Sequence, residues 1–191
     1  TPHFVESRAI KAFLKENEPW LRQKLSEVQT GVNVTFGTVL PFMGRNVMVE
    51  RYFGRSVLLN KNKILVPEKS RTPALQVGEF LKQYTRHLLS KRATNYAEKL
   101  GVTYSKLSLR DTRSRWGSCS DRGALTFSWR LIMAPPEVLD YVAAHEVAHL
   151  RHMDHSNRFW TEVENLFGEY KQQQRWLKEN GSKLHQYQFS N

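Results

Sequence analysis

The residues best suited to chemistry are His145, Glu146 and His149, in the run Ala-His-Glu-Val-Ala-His-Leu at positions 144–150. The surrounding residues are apolar and helix-forming, and residues four apart on a helix share a face. Both imidazoles can therefore grip one metal ion. Glu146 follows the first ligand directly, where it can act as general base on a water. It would take a proton from that water and later pass it to the leaving group. Two histidines and a glutamate in one helical turn make most of a hydrolytic zinc site, although imidazoles also suit nickel or iron.

A catalytic zinc usually takes three protein ligands and keeps one position open. His155 is the expected third ligand. On a continued helix, six residues past His149 would turn about 600°, a net rotation of about 240° that aims His155 away. The helix must therefore end soon after His149, and the polar run 151–156 suits such a break. The spacing H-E-x-x-H-x5-H equals that of the metzincins, which have Gly where this chain has His152. Asp154, Glu162 and Glu169 are the rival ligands, Glu162 foremost among them. Asp154 and Glu162 are also candidates to orient a ligand imidazole, and His152 reads as a surface residue. Cys119, the lone cysteine, could suggest a thiol nucleophile. The histidines have the better explanation, so Cys119 reads as a small residue at a strand or turn.

Several elements must position these groups. Residues 7–29 read as two helical pieces with ordinary core patterning. The first has Ile10, Phe13 and Leu14 on one face. The second, after Pro19, has Trp20, Leu21, Leu25 and Val28. Short apolar runs between 31 and 67, punctuated by Gly44, Gly54 and Asn60-Lys61-Asn62, predict a small antiparallel meander. Thr72-Pro73 opens a helix of about 28 residues that Gly101 can close. Strands are expected at 105–113 and 124–133, with a turn-rich segment, 115–123, between them. Pro135-Pro136 then starts the motif helix. A further helix carries Phe159, Trp160, Val163 and Leu166, and a last one runs from about Tyr170 to Glu179. This divides the chain into a helical and strand-rich part (1–70), a hydrolase domain (71–181) and a loosely ordered tail (182–191).

Composition bounds the setting. The chain has 191 residues, 40% of them hydrophobic, enough for a real core and against global disorder. One cysteine excludes an internal disulfide. No apolar run approaches a membrane span, and no signal peptide is visible. The expected setting is soluble, reducing and cytoplasmic. Net charge is +11, and residues 81–130 hold eleven Lys or Arg against three acids. That excess is either a solvated face or an attraction for an anionic partner such as nucleotide or nucleic acid.

Arg-Trp-Gly-Ser-Cys-Ser at 115–120, Trp129-Arg130-Leu131, Pro135, Tyr141-Val142, His145-Glu146-x-x-His149-Leu150 and His155-Ser156-x-x-Phe159-Trp160 occur in this order. In this the chain resembles the YgjP-like metallopeptidases, compact zincins more distantly related to the SprT-like proteases. The resemblance is dense over residues 105–165. Ser128 departs from the Asn usual before Trp-Arg. The resemblance implies an α+β minimal zincin-like fold, with a long backing helix, a short antiparallel sheet and the motif helix. It also implies zinc held by His145, His149 and His155, with Glu146 as base. The 115–120 segment would lie beside the cleft, where Arg115 and Trp116 could contact an extended peptide bound by strand addition. Two other readings stay open. One is a metal-dependent hydrolase of nucleoside triphosphates at a phosphoanhydride bond, and the other is a protease acting while docked on nucleic acid.

Overall fold

A computed structural model describes residues 7–19 and 31–190. Contacts divide the chain into two units, Thr1–Gly31 and Val32–Asn191. The boundary read from sequence at 70/71 falls inside the second unit.

In the first unit, α1 spans Ser7–Glu16. Ile10, Phe13 and Leu14 form a face, as the spacing predicts, but all three are exposed. The core patterning expected of them is not realised. The expected second piece, with Trp20, Leu21, Leu25 and Val28, lies outside the described residues.

The second unit begins with β1 (Val32–Asn33), β2 (Val39–Phe42), β3 (Arg45–Tyr52), β4 (Leu58–Asn60) and β5 (Lys63–Pro67). Strands β2 to β5 form a four-stranded sheet in the order β2-β3-β5-β4. Within β3, alternation is sharp: Val47 and Val49 are fully buried while Met48 is exposed. The expected antiparallel meander is corrected here, because β3 and β5 pair in parallel. The cause is the wide loop at 53–57. It carries the chain past the open edge of β3, so β4 lies outermost and β5 returns between them. True two-residue hairpin loops occur at Met43-Gly44 and Lys61-Asn62. Met43 and Gly44 both have positive φ, the conformation that matches strand twist in a tight hairpin. A Cβ on Gly44 would lie 3.3 Å from Cδ of Pro136. The Met43 N–H donates to Ile132 O at 2.8 Å. This hairpin thus abuts the start of the motif helix.

Helix α2 (Pro73–Leu100) is the long backing helix. Pro73 opens it, Thr72 makes no side-chain cap, and Gly101 closes it in the left-handed conformation, φ 68°. Its buried positions, among them Val77, Leu81, Leu89, Ala93 and Leu100, recur every three or four residues. The buried Thr85 hydroxyl bridges to Leu81 O (2.6 Å) and Trp129 O (2.9 Å).

Strands β6 (Lys106–Arg110), β7 (Gly117–Cys119) and β8 (Ala124–Ser128) form a second sheet ordered β6-β8-β7. This sheet too is mixed rather than antiparallel: β6 runs parallel to β8, and only β7 is antiparallel to it. Strand β8 ends earlier than expected. Ser128 accepts from Arg130 N–H and caps a 3-10 turn at Trp129–Met133. The fully buried Ser128 oxygen thereby gains a defined role at the position where Asn is usual.

Helix α3 (Pro136–Ala148) carries the motif, followed by α4 (Asn157–Phe167) and α5 (Lys171–Asn180). The segment expected to be a loose tail is folded over residues 182–188. A 3-10 turn at Gly181–Gln186 buries Leu184, and β9 (Tyr187–Gln188) pairs in parallel with β1. The lock is Arg130, which is buried and bidentate to Asp111 (2.6 and 3.1 Å). Its Nη1 also donates to the carbonyls of Leu184 and Tyr187, each at 2.9 Å. The molecule is α+β, with one apolar core shared by the first sheet, α2, β8, α3 and α4.

Candidate metal centre

Helix α3 begins without a side-chain cap, at Pro136 with Glu137 in the first turn. It is buried on most sides, through Val138, Leu139, Val142, Ala143 and Val147. His145 and His149 lie one turn apart near its end. The helix stops at Ala148, with His149 as its terminal cap residue, so the chain turns back as the spacing requires. Asp154 Oδ1 accepts from Ser156 N–H at 3.2 Å and closes the turn that carries His155. One imidazole nitrogen from each of His145, His149 and His155 lies within 4.8 Å of the others. His145 Nε2 and His155 Nε2 are 3.3 Å apart.

These rings suit a metal cation. His149 Nδ1 lies 2.9 Å from His152 O. A carbonyl only accepts, so Nδ1 carries the proton and Nε2 keeps a free lone pair. Burial, helped by His149 and His155, pushes the His145 pKa down to about 3. Burial also pushes His149 down, against the His152 carbonyl. Neutral imidazole is the form that ligates a metal. A hydrogen bond between Nε2 of His145 and Nε2 of His155 would need one of them to keep a proton, whereas a shared cation uses both lone pairs. Phe159, fully buried, holds the set together: its ring centroid is 4.9, 4.4 and 4.8 Å from those of His145, His149 and His155. Trp160 flanks His145 and His155 and stacks on Tyr170.

Glu146 faces the same cleft, which has a volume of about 470 Å³ and is also lined by Arg115, Gly117, Cys119 and Met153. The residue is 5% exposed. Burial raises its pKa to about 8, with Arg115 pulling in the opposite direction. Strand β7 lies directly over it. A Cβ on Gly117 would stand 2.5 Å from both Cγ and Oε1 of Glu146, so only glycine fits there without displacing the acid.

The other residues singled out from sequence fall into place separately. Arg115 lines the cleft. Trp116 points the other way, against Gly181 and His185, because neighbours on an extended chain face opposite sides. It is not among the residues that line the cleft. Asp154 and Glu162 are not in the ligand group. Glu162 pairs with Arg151 at 3.0 Å and lies 3.8 Å from His152 Nε2, so it fastens the turn whose carbonyl orients His149. Glu169 accepts from Lys171 N–H. Cys119 lines the cleft, but burial and then Glu146 push its thiol up to about 11, unlike an activated nucleophile. Three contributors lie in the motifs of the resemblance but had no role of their own assigned: Phe159, also read as core; Gly117, read as part of the 115–120 cleft segment; and Arg130, also counted as charge. Phe159 had a signal, since it lies four residues after His155 at the start of an amphipathic helix.

The fold and the cleft define a metal-dependent hydrolase. The chain belongs to the YgjP-like family, whose metallopeptidase domain matches residues 1–180. It is a metallopeptidase, acting on peptide or protein with a divalent metal. No curated protein matches the chain. Among solved structures, it is similar to the metallopeptidase zymogen abylysin of Pyrococcus abyssi. The identity is 23% and the TM-score 0.43, over 48% of this chain and 93% of that one. It is also similar to the zymogen jannalysin of Methanocaldococcus jannaschii, with 18% identity and a TM-score of 0.41, over 50% of this chain and 96% of that one. Among the described residues, no helix is long and apolar enough to cross a membrane. The family match supports peptide bonds and supports neither the nucleotide nor the nucleic-acid alternative.

Proposed function

We propose that the chain is a zinc peptidase in which His145, His149 and His155 hold the metal and Glu146 is the general base. One observation carries this: three imidazole nitrogens within 4.8 Å of one another, beside a buried glutamate in the same cleft. An all-imidazole set of three leaves room for water and suits zinc, with nickel or iron as the alternatives. When bound, the ion supplies Lewis acidity at the scissile carbonyl and positive charge that favours ionised Glu146.

The chain's own groups do the rest. Glu146 accepts a proton from water at a carboxylate oxygen, holds it in a cleft that β7 keeps dry, and returns it to the leaving nitrogen. The His152 carbonyl fixes the His149 ring, and the Arg151–Glu162 pair steadies that turn. Substrate is positioned by β7, an edge strand. Trp116 O and Ser120 N–H are bonded to β8. By antiparallel alternation, Gly117 and Cys119 direct their peptide groups to the free edge. An extended peptide adding there would run beside Glu146. Every side chain in this scheme falls within residues 71–181, which we take as the hydrolytic part. The lone cysteine fits a reducing, cytoplasmic setting.

The test is Glu146→Gln. Metal content, read by elemental analysis, should stay near one ion per chain, while peptide hydrolysis falls by about 10²–10⁴, the range for a general base. Turnover surviving this change would overturn the assignment.

A further inference from the structure

Beside the metal cleft lies a second cavity of about 310 Å³, on the outer face of the β6-β8-β7 sheet. The two share Ser114, Arg115, Gly117 and Ser118. We propose that this cavity is a subsite for an acidic side chain, so that the enzyme prefers Asp or Glu at one position near the scissile bond. The inference rests on the peptidase reading above and names a substrate class for it.

Strand register carries the geometry. Gly117 pairs with Phe127 and Cys119 with Leu125, and both partners are fully buried. Those positions face the core side, where Glu146 lies. Ser118 pairs with Thr126, which places both on the opposite face and in the second cavity. A peptide added along the β7 edge alternates in the same way, at about 3.3 Å per residue. A residue whose side chain points at the metal cleft has a neighbour whose side chain points over Ser118 and Thr126. That neighbour meets Arg110 and Arg115.

Charge decides what it should be. The lining holds two guanidiniums and the hydroxyls of Thr112, Ser114, Ser118 and Thr126, and no carboxylate. The adjacent acid, Asp111, is bidentate to Arg130. Three other cations of the basic stretch are committed: Lys82 to Glu79, Arg92 to Asp140, Arg130 to Asp111. Arg110 and Arg115 have no ion-pair partner within 4 Å among the described residues, and Arg115 also stands near enough to Glu146 to favour its charged form. The loop bearing Arg115 is closed by the Thr112 hydroxyl, which donates to Arg115 O at 2.9 Å. Two guanidinium forks outside any close ion pair, with flanking hydroxyls, suit a carboxylate.

The experiment uses the metal-loaded full chain and peptides acetylated at the N-terminus and amidated at the C-terminus. Each pair differs only by Glu or Gln at one scanned position. At a single position, kcat/KM should favour Glu by roughly 10-fold or more, as for a hydrogen bond to a charged group. In Arg110→Gln that ratio should approach one, and Arg110→Glu should shift preference toward a Lys peptide. Circular dichroism and metal content identify any variant that fails to fold, and the wild-type ratio stands without variants. Peptides cut with no Glu preference at any position overturn the subsite and leave the peptidase reading intact. Preference only for a free C-terminal carboxylate overturns the side-chain assignment. Metal-loaded protein that cuts no peptide overturns the peptidase reading, and this inference with it.

Discussion

Two walls face each other across the cleft. The helix wall is one stretch of chain: His145 and His149 at the end of α3, His155 after the turn, and Phe159 in the first turn of α4. The sheet wall is assembled from afar, with Gly117 and Arg115 held in place by pairing with β8 and by the loop from β6. The helix wall holds the proposed ligands and its own packing. The sheet wall buries the proposed base and offers the edge. Ligand geometry is thus a local property of fifteen residues or so, while catalytic environment is a property of the whole domain.

The sharpest way to break the helix wall is Phe159→Ala. Phe159 is fully buried and packs against all three imidazoles. Truncation should cost about 3–5 kcal/mol of stability, read by denaturant unfolding of metal-free protein. Metal affinity should fall as well, because the rings lose their common backing. If affinity were unchanged in folded variant protein, the imidazoles would be held by their own turn and not by Phe159.

Gly117→Ala tests the sheet wall. The new methyl would meet Glu146 at 2.5 Å, so the acid or the strand must move. A displacement of this kind is expected to lower kcat/KM by about 10²-fold. Metal binding should persist, because no ligand is touched. The contrast with Phe159→Ala sharpens the division: one change acts on the metal, the other on the base. Wild-type turnover in Gly117→Ala would show that the close approach has no bearing on catalysis.

The same division governs how much could be read in advance. His145, Glu146 and His149 were visible because helical period and ligand chemistry both act within one turn. The need for a break after His149 followed from angle alone, and α3 does end there. The long helix was legible from its period, from Pro73 and from Gly101. Strand pairing was not, because β3 with β5 and β6 with β8 are chosen by contacts between distant segments. The fold of 182–188 depended on Arg130, whose four hydrogen bonds to Asp111, Leu184 and Tyr187 leave no local trace. The side taken by Trp116 depended on where β7 begins, which is again a matter of pairing.

The smallest of the expected effects separates the walls by pH. His145 and Glu146 are adjacent, and burial shifts them in opposite directions: His145 down from 6.5 to about 3, Glu146 up from 4.5 to about 8. Between pH 3 and 6.5 the unfolded chain binds more protons at His145, so stability rises with pH there. Between 4.5 and 8 the native chain binds more protons at Glu146, so stability falls with pH there. Between 4.5 and 6.5 the two oppose each other, and the downward shift of His149 adds to the rising side. From 6.5 to 8 the fall from Glu146 stands alone, at about 2 kcal/mol for 1.36 kcal/mol per pH unit. Metal-free protein should therefore be most stable near pH 6.5 as far as these groups decide it. Glu146→Gln removes the fall across the whole window from 4.5 to 8, since an amide does not titrate: the alkaline side flattens, and the rise from His145 between 4.5 and 6.5 is left unopposed. Urea unfolding of both proteins across pH 4–9, with chelator present, gives the comparison. Parallel curves above pH 6.5 would mean that β7 does not bury Glu146 as the Gly117 contact requires.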